Sequence, residues 1–271
     1  MKSLIRANTL NVIFLVETDT NAVNVESDFK ISGFKTIIQN KEKTNDPTRV
    51  VCLIDEKMAE YVIIRTDLTS KDFPSLWIEM ENENEKNVLC CGFYREWAPN
   101  GDKSIGAQVK SMQKLTGQIE EAAKESKTMI ILGDANLCSI RWDSPNYTHK
   151  KISTELRETL IQCGLSIIPL GITYTADRLN EDGSEITSAL DHIYFSTNTN
   201  QSVEFYKLDN SATDHVPIIA ELNLNTKAER KPDPSQKTIR KCSMKNFTKK
   251  MDRLLKEQGL VKHLSNGRHR G

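Results

Sequence analysis

The chain is built on short apolar runs: NVIFLV (11–16), RVVCLI (49–54), YVIIR (61–65), LWIEM (76–80), NVLCCGFY (87–94), TMIILGD (128–134), LSIIP (165–169), LDHIYFS (190–196), VEFYKL (203–208) and VPIIAEL (216–222). Their length and their β-branched and aromatic content predict strands. Two stretches between them carry helical spacing instead. Ser104 can cap a segment in which Ile105, Val109, Met112, Leu115 and Ile119 recur every three or four residues, and Ile152, Leu156, Leu160 and Ile161 precede Gly164 in a second one, about 150–163. The early strands follow one another through the polar turns DEK (55–57) and ENENEK (81–86), whereas helices separate the later ones. That order predicts an α+β fold of packed sheets with helices outside, not a doubly wound parallel sheet.

The apolar runs are far shorter than the roughly 20 residues a membrane-spanning helix needs. The N-terminus MKSLIRANTLNVIF has no signal-peptide cleavage pattern, so the expectation is an intracellular protein, nuclear or cytoplasmic, with no membrane partner. Cys52, Cys90, Cys91, Cys138, Cys163 and Cys242 lie mostly inside apolar runs, without C-x-x-C or zinc spacing, and read as buried free thiols. The formal net charge of zero conceals an asymmetry. Residues 226–271 hold 14 Lys/Arg against 4 Asp/Glu, leaving 23 against 33 in residues 1–225. The prolines and charges of KAERKPDPSQK (227–237) mark a linker, and MKNFTKKMDRLLKEQ (244–258) reads as a short basic helix. The predicted organisation is therefore a folded domain over 1–225 and a basic tail over 226–271. Such a tail suits nonspecific contact with nucleic acid, since Lys/Arg clusters gain affinity by releasing counterions from phosphate; a passive linker is the competing reading.

Polar residues stand at the ends of several strands. In MIILGDANL (129–137) the apolar run stops at Gly133 and places Asp134 and Asn136 two residues apart, on one side of an extended backbone. FLVET delivers Glu17, CCGFYREW delivers Tyr94 and Arg95, SALDHIYFS opens on Asp191, and TDHVPI sets Asp214 and His215 before the last strand. Each alone is an ordinary turn residue or cap. Jointly they supply the parts of phosphodiester hydrolysis: carboxylates for a divalent cation and for a proton from water, amide and phenol donors for phosphate, and a histidine.

The ordered set VET, FYRE, GDAN, LDHI and TDH resembles the endonuclease/exonuclease/phosphatase superfamily of DNase I-like proteins, and within it the endonuclease domain of non-LTR retrotransposons, over roughly residues 10–224. The tail RKCSMKNFTKKMDRLL (240–255) is similar to the connector into the reverse transcriptase of such elements. The resemblance implies a DNase I-like four-layer sandwich, two packed mixed β-sheets flanked by helices. It implies Mg²⁺ as cofactor, with Mn²⁺ as a substitute, and DNA as partner, with RNA as an alternative. Glu17 would hold the metal, assisted by Asp214. Asp134 would orient or deprotonate water beside Asn136, Tyr94 would sit at the phosphate, and His215, held by Asp191, would bind the scissile phosphate. Thr173 in GITYT and Ser188 in SALD match positions where the family places hydroxyls near the DNA backbone.

The chain departs from this pattern at its front. Family members begin with a strand carrying an active-site asparagine, whereas only about sixteen residues precede Glu17 here, and Asn8 and Asn11 belong to another segment. The first strand is thus expected to be missing, and with it one group that would touch the phosphate or the metal. The sequence reading is a Mg²⁺-dependent DNA-nicking endonuclease of a retrotransposon-like element, weakened or inactivated by that truncation. The alternatives are a phosphatase or RNA-directed nuclease of the same superfamily, or a catalytically dead remnant that binds nucleic acid. His192, beside Asp191 but facing the other way, reads as structural. Trp77, Trp97 and Trp142 read as packing or loop residues, although Arg95 and Trp97, next to Tyr94, are placed where one of them could touch DNA as substrate.

Overall fold

The computed structural model describes residues 10–20, 29–38, 48–82, 86–208 and 213–224. Asn8, Cys242 and the basic helix expected at 244–258 lie outside the described residues. The described elements belong to one compact unit, Val12–Ala228. Thirteen strands are named in chain order: β1 (Val12–Thr20), β2 (Phe34–Ile38), β3 (Thr48–Asp55), β4 (Val62–Ile64), β5 (Ser75–Met80), β6 (Val88–Tyr94), β7 (Thr128–Asp134), β8 (Leu165–Ile167), β9 (Tyr174–Leu179), β10 (Glu185–Ser188), β11 (Asp191–Ser196), β12 (Val203–Lys207) and β13 (Ile218–Leu222). The two α-helices among the described residues are α1 (Ile105–Ala123), capped by the Ser104 hydroxyl, and α2 (Lys150–Gln162).

Six strands form the central sheet in the order β4-β5-β6-β7-β11-β8, and β1-β3-β2 form a second sheet. The central sheet is mixed. β6 and β7 run parallel, with α1 between them in sequence, while β11 lies antiparallel to β7. Helix stripes cover one face of it: Val109, Met112, Leu115 and Ile119 of α1 and Ile152, Leu156 and Leu160 of α2 pack with Trp77, Leu89, Phe93 and Ile131. The opposite face packs on the second sheet and on the β12–β13 ribbon, with Val50, Cys52 and Ile54 among Ile78, Cys90, Ile130 and Ile193. Among the described residues the helical layer is present on one side only. The thiols of Cys52, Cys90, Cys91 and Cys138 are buried and free, and Cys163 is half-buried and free. No helix among the described residues is long and apolar enough to cross a membrane.

Two connections refine the sequence expectation. β5 and β6, which flank ENENEK in sequence, pair antiparallel, but DEK joins no hairpin, because β3 and β4 lie in different sheets. β2 and the β9–β10 hairpin are strands beyond those expected. No residue of β9 or β10 is buried, so no buried face imposes an apolar alternation on their sequence.

Two glycines set the distances that matter at the site. A side chain at Gly92 would overlap the ring of Phe14, so the lack of one lets β1 lie directly on β6. A side chain at Gly133 would run into the backbone carbonyl of its parallel partner Phe93. Gly133→Ala must therefore push β7 away from β6 just before Asp134. Urea denaturation is expected to show a loss of about 1–3 kcal/mol, the usual cost of forcing atoms into a packed interior; unchanged stability would mean that the strands do not approach this closely.

Candidate active site

The register of the central sheet lines up three polar residues. Tyr94 ends β6 opposite Asp134, which ends the parallel β7, and Asp134 faces Asp191, which opens the antiparallel β11. Register partners point to the same face. Tyr94 belongs to the core between the two sheets, and Ile130 and Ile193, in phase with Asp134 and Asp191, belong to it too. The rung Tyr94–Asp134–Asp191 therefore borders the gap between the sheets at one end.

The second sheet brings Glu17 to that gap. Val16 pairs with Val50 but Thr20 pairs with Thr48, so residues 17–19 bulge out of the ladder. Glu17 has a left-handed backbone, φ 55°, and its exposed side chain is swung toward the rim. There Tyr94 donates its phenolic proton to Glu17 Oε1 at 2.8 Å. Burial first, and then the Glu17 carboxylate, push the phenol above its ordinary pKa.

The loop after β7 is held by Arg95. Its backbone N–H donates to the Asp134 carbonyl, and its carbonyl accepts from Asn136 Nδ2 at 2.8 Å. Its Nε donates to the Ala135 carbonyl at 2.5 Å and its Nη2 to the Asn136 carbonyl at 2.7 Å, with Gln108 beside Nη1. Asn136 adopts φ 48°, and its backbone N–H donates to Asp134 Oδ1 at 2.7 Å. Arg95 is 0% exposed, so the expectation that it contacts substrate does not hold: the guanidinium is spent on loop carbonyls. It is a positioning residue.

His215 arrives from the segment before β13. Its Nδ1 is 2.8 Å from Asp191 Oδ2. Burial works against a charged imidazole, but the hydrogen bond and charge of Asp191 outweigh it, with Asp134 and Asp214 adding, and the pKa is pushed up to about 9. Asp134 is shifted toward its neutral form instead. Burial and the neighbouring Asp191 raise its carboxyl to about 7, against the Asn136 N–H and His215. Thr173 is 0% exposed, which does not agree with the expected substrate contact. Its Oγ1 accepts from the N–H groups of Leu190 and Asp191, while its carbonyl accepts from Val216 N, so it ties the Asp191 strand to the His215 segment. Ser188 is half-buried at the end of β10, its carbonyl accepting from Thr173 N.

Ligand atoms of Glu17, Asp134 and His215 lie within 4.8 Å of one another. Asp214, read from sequence as an assistant at the metal, is exposed and outside this group, and it acts on His215 through charge. His192 is buried and turned to the helical side, with Nδ1 on Tyr194 and Nε2 on the Leu137 carbonyl. Two further residues at the site, Arg49 and Tyr174, are not apparent from sequence. The guanidinium of Arg49 lies 5.8 Å over the Tyr94 ring and its Nε donates to Glu96, while the Tyr174 ring lies 4.9 Å from that of His215. Neither carries a local signal: Arg49 is the second residue of β3 and Tyr174 opens the β9–β10 hairpin.

Residues 95–219 match the family described as endonuclease-reverse transcriptase. Among solved structures, the endonuclease domain of TRAS1, a telomere-specific non-LTR retrotransposon, is 16% identical with a TM-score of 0.56, covering 82% of this chain and 90% of its own. An AP endonuclease from Leishmania major is 12% identical with a TM-score of 0.63, over 80% of this chain and 79% of that one. A 3′ phosphatase from Neisseria, bound to a product DNA hairpin, is 15% identical with a TM-score of 0.56, over 82% and 92%. No curated protein matches the chain.

The Asp191–His215 bond makes a direct prediction. In Asp191→Asn the His215 imidazole loses its carboxylate partner, and its NMR titration midpoint is expected to fall from about 9 toward the ordinary histidine value of 6.5. Because the folded value lies above the unfolded one, the pair's contribution to stability is complete below about pH 6.5 and fades as pH rises toward 9. A midpoint unmoved by the substitution would place the charge on His215 elsewhere.

Proposed function

We propose that this chain, which has the DNase I-like fold of the endonuclease/exonuclease/phosphatase superfamily and is related to nucleases and phosphodiesterases, is a Mg²⁺-dependent endonuclease that nicks DNA for a retrotransposon-like element. The supporting observation is the convergence of Glu17, Asp134 and His215 from three distant stretches of chain to within 4.8 Å.

The donor set fits a hard cation. Glu17 and Asp134 offer carboxylate oxygens, as Mg²⁺ and Mn²⁺ prefer, whereas the protonated imidazole of His215 is unsuited to ligation and suited to an anion. Glu17, oriented by the Tyr94 hydroxyl, would hold the ion, which would supply Lewis-acid neutralisation of phosphate charge. Asp134, with a carboxyl near 7, can take a proton from water close to neutral pH. The Asn136 amide, fixed by Arg95 and Asp134, is preorganised to orient that water or a phosphate oxygen. His215, kept charged by Asp191, would stabilise the negative charge that develops on the phosphate. The basic residues of 226–271 would add nonspecific affinity for the polyanion.

Relaxation of supercoiled plasmid to nicked circles tests this reading. Nicking is expected with Mg²⁺, not with EDTA, and at least about a hundredfold more slowly in Asp134→Ala and His215→Ala, the usual minimum for losing a proton-transfer or charge-stabilising group. Wild-type rates in both variants would sink the assignment. Release of inorganic phosphate from a 3′-phosphorylated oligonucleotide, without nicking, would move the substrate to phosphomonoesters while keeping the same site.

A further inference from the structure

Trp97 differs from the other two tryptophans of the chain. Trp77 is 0% and Trp142 5% exposed, whereas Trp97 is 44% exposed, three residues beyond Tyr94. Its mounting is nevertheless firm. The indole makes a T-shaped contact with His149 at 4.8 Å, and His149 makes another with Tyr147 at 5.6 Å. The Tyr147 hydroxyl accepts from the backbone N–H of Cys138, two residues beyond Asn136. On the other flank Glu96, the residue before Trp97, is bound by Arg49. A T-shaped contact occupies at most one indole face. The row Trp97–His149–Tyr147 therefore starts at the loop that follows Asp134 and carries Asn136, and ends in an aromatic face open to solvent. Burial, and then the nearby Arg95 charge, keep the His149 pKa below its usual value, so the row is neutral at physiological pH.

A rigid, neutral, half-open indole beside a phosphate-binding centre has the chemistry of a base-stacking platform. It also answers a difficulty of charge. Residues 1–225 carry 23 basic against 33 acidic side chains, so the body repels a polyanion. Stacking contributes affinity without charge. We propose that Trp97 is a nucleobase subsite that stacks on an unpaired base next to the scissile phosphate, and that the substrate is nucleic acid with a locally unstacked nucleotide at the cut. This rests on the nuclease reading above and specifies its substrate.

Binding in EDTA separates the two. Trp97 is the accessible fluorophore, so a short oligothymidylate is expected to quench the emission of the full chain, and a strand of abasic residues with the same phosphates to quench it far less. Trp97→Ala is expected to weaken oligothymidylate binding roughly five- to a hundredfold, the range for loss of one stacked base. Trp97→Phe should recover most of it. Because stacking involves no ion pair, the slope of log affinity against log salt should stay as in wild type. In wild type a duplex with one unpaired nucleotide should bind more tightly than a fully paired duplex, and Trp97→Ala should abolish that difference. Equal affinity of Trp97→Ala and wild type for oligothymidylate, or equal quenching by the abasic strand, overturns the subsite even if Mg²⁺-dependent nicking persists. Base-dependent quenching without nicking under any metal keeps the subsite and removes the nuclease.

Discussion

A single buried cation, the guanidinium of Arg95, is the interaction on which the rim depends. A charge removed from water is tolerated only when its donors meet acceptors, and here those acceptors are the carbonyls of Ala135 and Asn136. The same residue bonds through its backbone to Asp134 and to the Asn136 side chain. The loop cannot shift without leaving the guanidinium unpaired. This also explains how Asn136 is kept in a left-handed conformation that a free loop would relax. Tyr94, next to Arg95 on β6, inherits the same register, so one side chain couples the phenol, the acid and the amide.

The remaining carboxylate comes from the other sheet, which makes the site a property of the interface between sheets. Phe14 of β1 rests where Gly92 of β6 has no side chain, and the bulge that follows brings Glu17 across. The separation of Glu17 from Asp134 is thus set by close packing of apolar groups several residues away. Interiors packed at crystal density transmit such distances faithfully. A change where Phe14 meets Gly92 acts on the metal-fitting oxygens without touching them.

The strands that bury an apolar face were legible in sequence as short apolar runs, and so were the polar residues that stand at or just beyond their ends. β2, β9 and β10 were not: β2 buries one residue, Ile37, between partly exposed neighbours, and β9 and β10 are half-buried or exposed along their length. GDAN announced its polar pair because Gly133 breaks an apolar run at the right place. Arg95 and Thr173 were misread as substrate contacts for the opposite reason. Nothing local distinguishes an arginine that faces DNA from one enclosed by Gln108 of α1 and the loop after β7, and a threonine whose hydroxyl accepts from residues fifteen or more positions away carries no mark of it. The bulge at Glu17 is likewise invisible until β3 fixes the pairing.

Asp134 and Asp191 are adjacent in register and point to one face, yet the fold gives them different work. The difference comes from the short segment 173–175. Thr173 accepts the Asp191 N–H and, with Thr175, bonds to the backbone on both sides of His215, so the imidazole is delivered to Asp191 and not to its neighbour. Asp134 is left buried beside a second acid, with the backbone N–H and side-chain amide of Asn136 and a more distant imidazole to offset it, and its proton affinity rises accordingly. Such charge is what a bound hard cation would relieve. Two carboxylates made unequal by their neighbours are what a single centre needs to hold one proton and one positive charge apart.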